Sequence, residues 1–247
     1  MKKLFAANWK LHKTPAETRA FFKAWKDKAG SLSADRAQVV FFPTAICLEA
    51  ASQELADAGF EWGAQNCYFE DKGAFTGETS AQAVQSLGGR WILIGHSERR
   101  SIFGETDELC AKKIKKVQDL GLTPMFCIGE TLQERESGKT FDVLKDQLIK
   151  GLAHADKTKP LAIAYEPVWA IGTGKVAGPE QVQEAHQFLF EQIKSMGLST
   201  ATPLLYGGSV KADNAGALGK IPHVDGFLVG GASLEVDSFL AIAKAAQ

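Results

Sequence analysis

Eight short apolar runs recur along the chain, each followed by a stretch with helical character, and this alternation limits the fold more than any other feature. The runs cover residues 3–8, 37–42, 61–65, 91–94, 123–127, 161–165, 204–206 and 226–229. Most lack a polar residue at every second position, as expected of parallel strands covered on both faces. Between them, Thr14, Pro15 and Glu17 read as the cap, first residue and third residue of a helix with a capping box. Further helices are expected up to residue 58, at 80–87, 106–119, 132–152, from Pro179 onward, and at 214–218 and 234–246, with a long loop at 66–79. Strands alternating with helices imply a parallel sheet. Eight such units in 247 residues match a closed (β/α)8 barrel, a TIM barrel in architecture, with an open doubly wound sheet as the alternative. No linker or low-complexity segment interrupts the chain, so a single catalytic domain over residues 1–247 is expected.

Composition narrows the function. Net charge is −1 and no basic stripe is present, which argues against a nucleic-acid partner. The cluster Lys112, Lys113, Lys115 and Lys116 reads as the solvated face of a helix whose apolar side is Cys110, Ile114 and Val117. Cys47, Cys67, Cys110 and Cys127 form no C-x-x-C pair, so reduced thiols and a cytoplasmic setting are expected. Neither Cys nor His clusters, so no metal site is expected. The apolar run after Lys2 and Lys3 is broken at Asn8, Trp9 and Lys10, too early for an export signal, and no stretch is long enough to span a membrane.

In a barrel of this kind, function collects at the C-terminal ends of the strands. Those ends carry Asn8 and Lys10, then Gly95-His96-Ser97-Glu98-Arg99-Arg100, then Glu166, then Gly207-Gly208-Ser209, then Gly230-Gly231. Together they place a carboxylate, an imidazole, a cation and two glycine loops above one mouth. Loops without Cβ atoms let backbone N–H groups approach an anion, and barrels often hold phosphate after the seventh and eighth strands. Pro167 ends strand pairing after Glu166, and residues 167–177, with Gly172, Gly174 and one charge at Lys175, have the length and composition of a lid. Gly172, Gly174 and Ala177 also fit G-x-G-x-x-A, but six residues separate Tyr165 from Gly172, whereas a dinucleotide turn is tight. The expected ligand is a small phosphorylated molecule, with its reactive carbons near Glu166 and His96 and with Gly172, Ser209, Gly230 and Gly231 at its phosphate.

The chain resembles the triosephosphate isomerase family from end to end. The matching stretches include Ala7-Asn8-Trp9-Lys10, Gly63-Ala64-Gln65-Asn66, Gly73-Ala74-Phe75-Thr76-Gly77-Glu78, Ile94-Gly95-His96-Ser97-Glu98-Arg99-Arg100 and Cys127-Ile128-Gly129-Glu130. They continue with 164–174, Tyr206-Gly207-Gly208-Ser209-Val210 and 224–232. The resemblance implies interconversion of two triose phosphates through an enediolate, in glycolysis and gluconeogenesis and without a cofactor. It implies Glu166 as the base, a neutral His96 as the group that polarises the carbonyl, Lys10 as the charge partner and Asn8 as its support. Glu98 would assist. The lid would comprise Pro167, Val168, Trp169, Ala170, Ile171, Gly172, Thr173, Gly174, Lys175, Val176 and Ala177. It further implies a homodimer in which Phe75, Thr76, Gly77 and Glu78 enter the neighbouring subunit's site. One departure is Gly178, where the family commonly carries Thr or Ser; it is expected to weaken a helix cap slightly. Three other readings are a Schiff-base aldolase, for which no lysine lies inside strands two to eight, a dinucleotide enzyme, and a non-catalytic phosphate-metabolite-binding barrel, which would be expected to have lost Glu166, His96 or Lys10.

Overall fold

A computed structural model describes residues 2–30, 32–56, 58–171 and 177–247. The chain runs β1 (Lys3–Asn8), α1 (Pro15–Ala29), β2 (Ala37–Phe42), α2 (Leu48–Leu55), β3 (Glu61–Ala64), α3 (Ala81–Ser86), β4 (Trp91–Ile94), α4 (Ser97–Phe103) and α5 (Asp107–Asp119). It continues through β5 (Thr123–Ile128), α6 (Leu132–Glu136), α7 (Thr140–Gly151), β6 (Ala162–Tyr165), α8 (Pro179–Ser195), β7 (Leu204–Tyr206), α9 (Ala212–Leu218), β8 (Gly226–Val229) and α10 (Val236–Ala245). Each strand pairs in parallel with the next and β8 returns to β1, closing the barrel. The expected (β/α)8 architecture is therefore the one formed.

Strand side chains alternate between two buried environments. One set, Leu4, Ala6, Val40, Phe42, Trp91, Leu93, Met125, Cys127, Ala162, Ala164, Leu205 and Leu228, packs as a cluster of its own and fills the barrel interior. The other set faces the helices. Phe5, Phe41 and Phe227 belong to it, and Phe41 meets Phe22 and Trp25 of α1 and Phe239 of α10 at ring separations of 5.0, 5.1 and 5.8 Å. Because both faces are apolar and covered, the strands carry no polar alternation, which is why the sequence runs were continuous.

Three details differ from expectation. Residues 97–103 form a helix, α4, that begins directly after the β4 turn; its first turn is polar and gives no apolar stripe. The single helix expected at 132–152 is two helices, α6 and α7, because Gly138 adopts φ +69° between them. Lys113 is not on a solvated face: it is buried and bonds Glu105 Oε1 at 2.6 Å and Asn66 Oδ1 at 2.8 Å. The cysteines are as expected, all four free and fully buried. Burial pushes the Cys67 and Cys110 thiols up to about 12 and raises Cys127 as well. No described helix is long and apolar enough to cross a membrane.

Two predictions follow from helix α8. His186 is wholly buried beside the Tyr165 and Tyr206 rings, and its Nδ1 lies 2.8 Å from the His223 carbonyl. Its Nε2 has no partner among the described residues, and burial lowers the imidazole pKa from 6.5 to about 4. The unfolded chain takes up this proton below pH 6.5 and the native chain does not until about pH 4. Stability is therefore full above that window and falls as pH drops through it, by up to about 3 kcal/mol from this group. Urea unfolding between pH 7 and 4 should show the loss, and a His186→Gln variant should show a shallower slope. At the other end, Gly178 caps α8 with no side chain, although the Gln181 side chain accepts its N–H at 2.9 Å. A Cβ there would meet only Gln181 Oε1 at 3.7 Å. Gly178→Thr should thus gain a few tenths of a kcal/mol, read as a small rise in melting temperature, with turnover changed by less than about tenfold.

Candidate active site

The strand ends converge on one mouth, where a cavity of about 250 Å³ is lined by Asn8, Lys10, His96 and Glu166 on one side and Gly208, Ser209, Gly230 and Gly231 on the other. It has room for a small polar molecule. Of the site residues expected from sequence, Asn8, Lys10, His96, Glu166, Ser209, Gly230 and Gly231 line this cavity. Glu98 lines the neighbouring depression and reaches this site through Lys10. Gly172, with Thr173, Gly174, Lys175 and Val176, lies outside the described residues.

Glu166 follows β6 directly. Its side chain is only 2 % exposed, which excludes a solvated surface charge. Its Oε1 lies 3.0 Å from His96 Nε2, and its Oε2 accepts the Ser97 backbone N–H at 2.9 Å. Burial alone pushes this carboxyl up. The His96 ring, its hydrogen bond and the Ser97 N–H outweigh burial and hold it below the usual carboxylate range. The Ser97 donor exists because α4 starts at that residue; sequence reading missed it together with the helix.

His96 caps α4 with its own ring, Nδ1 accepting the Glu98 N–H at 3.2 Å. An N–H aimed at Nδ1 places the ring proton on Nε2, where it points at Glu166. Burial works against a charged ring, and the adjacent Glu166 carboxylate reverses that and raises His96. In the neutral ring the single proton lies on the Nε2–Oε1 line, because Nδ1 is taken up as an acceptor. The Glu98 N–H opposes a second ring proton.

Lys10 stands just beyond β1 with φ +49°, a conformation that costs a non-glycine residue about 1–3 kcal/mol. Three side chains hold it. Asn8 Oδ1 accepts its N–H at 3.0 Å, Gln65 Nε2 donates to its carbonyl at 2.8 Å, and Glu98 Oε1 binds its Nζ at 2.7 Å. Gln65 also donates to the Phe42 carbonyl at 2.9 Å, anchoring Lys10 to β2. A Cβ on Gly230 would come within 3.1 Å of the Lys10 Cε, so the glycine loop and the lysine stem are fitted to each other.

The first part of the expected lid is described. Pro167 leads into a 3-10 turn at Val168–Ala170, and Ile171 follows. Trp169 Nε1 donates to Glu130 Oε1 at 2.9 Å, and the Arg135 guanidinium lies 5.1 Å from the Trp169 ring centre. The buried Glu130 carboxylate also accepts from Tyr165 Oη at 3.2 Å and Arg135 Nη1 at 2.9 Å. Ser209 Oγ donates to the Ala170 carbonyl at 2.8 Å, and Ala177 is buried at the far end. Glu130 carried no role in the sequence reading; an apolar run ending in Gly-Glu was the only signal.

Residues 72–78 are all exposed, and the base of their loop is closed by the Tyr68 N–H donating to the Thr79 carbonyl at 2.9 Å. Beside it lies a second depression of about 320 Å³ lined by Asn8, Lys10, Leu11, Gln65, Glu98 and Phe103. Leu11, Ile46, Ile102 and Phe103 are exposed at 94, 75, 69 and 67 %. Among the described residues no group of three or more His, Cys, Asp or Glu is placed to hold a metal.

Comparison with known proteins bears on this arrangement. The family model for triosephosphate isomerase matches residues 3–246. The triosephosphate isomerase of Bdellovibrio bacteriovorus is 65 % identical over 244 residues, 99 % of this chain and all of the relative. Those of Carboxydothermus hydrogenoformans and Chlamydia trachomatis are 47 % and 45 % identical, covering 98 % of this chain in each case and 98 % and 89 % of the relatives. With a closed eight-stranded barrel, an acid–imidazole–lysine mouth and these relatives along its full length, the chain belongs to the triosephosphate isomerase family.

Proposed function

We propose that the protein interconverts D-glyceraldehyde 3-phosphate and dihydroxyacetone phosphate, as an aldose–ketose isomerase acting in one catalytic domain. The observation that carries the site assignment is the buried Glu166–His96 contact at the mouth, with Lys10 alongside. Glu166 is the base: ionised at neutral pH and shielded from water, it removes a proton from the carbon next to the carbonyl and returns it to the neighbouring carbon. His96 donates its Nε2 hydrogen bond to the carbonyl oxygen, stabilises the enediolate and moves the hydroxyl proton, the division of roles known for this family. Lys10 offsets the negative charge of the enediolate and phosphate, and Asn8 and Glu98 hold Lys10. Ser209, Gly230 and Gly231, with Gly172, cradle the phosphate. Residues 167–177 form the lid that keeps water from the enediolate, which would otherwise expel phosphate. Substrate must take over the His96 proton before Glu166 can turn toward carbon, so binding and arming of the base are one event.

The same reading makes the enzyme a cytoplasmic homodimer serving glycolysis and gluconeogenesis. The exposed Phe75-Thr76-Gly77-Glu78 loop of one copy fills the depression beside Lys10 of the other, and Leu11, Ile46, Ile102 and Phe103 supply the apolar surface around it.

Two predictions test these assignments. In a direct NMR assay with no cofactor or metal added, the parent should convert either triose phosphate, and Glu166→Gln should lose about 10³-fold or more in kcat. His96→Gln should lose about 10²-fold or more. A folded parent without activity would favour a binding protein on the same barrel. For assembly, sedimentation at micromolar concentration should give a dimer, and Phe103→Asp should shift it toward monomer with a loss of activity; a fully active parent monomer would sink the assembly.

A further inference from the structure

We propose that Arg100 is a positioning residue that sets where the His96 imidazole stands relative to Glu166. It lies on α4, four residues beyond His96, and its guanidinium turns back beneath the strand ends. Nε donates to the Gly95 carbonyl at 2.7 Å, Nη2 to the Cys127 carbonyl at 3.1 Å, and Nη1 to Asp107 Oδ1 at 2.6 Å. The group lies 5.5 Å from the Phe126 ring centre and its side chain is 17 % exposed. One planar cation thus ties the residue before His96 to the end of β5.

That tie matters because of the order of the strands. His96 follows β4 and Glu166 follows β6, with β5 between them. β4 and β6 do not pair with each other, so the 3.0 Å approach of His96 Nε2 to Glu166 is set through β5. On the far side, the Glu166 N–H donates to the Ile128 carbonyl at 2.7 Å, fixing the base to β5. On the near side Arg100 does the equivalent for His96. The turn itself is shaped to the cation: Gly95 has φ +72°, and a Cβ there would lie 2.9 Å from Arg100 Nη2 and 3.1 Å from the Cys127 carbonyl. The guanidinium fills the space that a side chain at Gly95 would need.

Arg100 does not line the cavity, so it acts through His96 and not on substrate. A planar fork reaches two carbonyls and a carboxylate at once; a lysine ammonium at the end of a flexible stem cannot hold all three directions. A misplacement of about 1 Å at reacting groups costs on the order of 10²-fold in rate.

The inference rests on the assignment of His96, and the variants separate the two. His96→Gln, Arg100→Met, Arg100→Lys and Asp107→Asn are compared by kcat, KM, thermal melting and the ¹⁵N resonances of the His96 ring. Arg100→Met should lower kcat by about 30- to 100-fold with KM changed less than about threefold, and should shift the His96 resonances. Arg100→Lys should recover only part of the loss. Asp107→Asn keeps both carbonyl bonds and should hold kcat within about threefold of the parent even if it melts lower. If Arg100→Met does not fold, Arg100→Lys is judged in its place. A folded variant with kcat within twofold of the parent and unmoved His96 resonances would overturn the positioning role. So would a loss in Asp107→Asn equal to that in Arg100→Met, since it would trace to general stability. Parent-like kcat in His96→Gln would overturn the site assignment and this inference with it.

Discussion

Closure of eight parallel strands imposes a parity on every side chain in the barrel. Residues of one parity go to an interior that has no exit, and residues of the other go beneath the helices. Twelve apolar side chains fill the interior as a separate cluster. Parallel direction then forces every strand to end at the same mouth. Residues at strand ends that are far apart in sequence, such as Lys10, His96 and Glu166, meet there without any local sequence relationship. The apolar plug beneath them gives the mouth a dry floor, so charges placed above it are screened less than at a free surface.

That dryness has a cost, and the site is built around meeting it. A carboxylate as buried as Glu166 is tolerated only with donors in place. It has two, one from the His96 ring and one from the first N–H of α4. The imidazole is in turn oriented by a backbone N–H on its other nitrogen. Lys10 is treated the same way, its unfavourable backbone angle held by Asn8, Gln65 and Glu98. Backbone N–H groups and the uncharged Asn8 and Gln65 side chains fix these groups without adding charge, while Glu98 and His96 meet the reactive atoms themselves.

Much of the fold was legible in the sequence because its strands are buried on both faces. Buried parallel strands read as unbroken apolar runs, and the Pro and Gly residues between them mark the turns. What escaped reading depended on tertiary surroundings. Helix α4 has a polar first turn whose Ser97 N–H donates to Glu166, and its Arg100 donates to the Cys127 carbonyl, so it is held by tertiary bonds and lacks the periodicity by which amphipathic helices are found. The break at Gly138 was visible as a glycine, yet helical pattern on both sides suggested continuity. Lys113 looked solvated beside three other lysines; only the fold brings Glu105 and Asn66 to it. The same holds at the site. Position at strand ends pointed to Asn8, Lys10, His96, Glu166 and the glycine pairs. The contacts between them, and the supports from Ser97, Gln65 and Arg100, join residues distant in sequence, as His96 with Glu166 and Lys10 with Gly230, and leave no local trace.

The burial of all four thiols has a practical side. Each sulfur is sealed in packed interior, and burial holds Cys67, Cys110 and Cys127 in the protonated, unreactive form, with Cys127 facing inward among the barrel's own side chains. A cysteine introduced at an exposed position would be the one nucleophile a maleimide or spin-label reagent meets on the native protein. Distances across the barrel, or between copies, become measurable by single-site attachment of a dye or nitroxide without first stripping the natural cysteines from the chain.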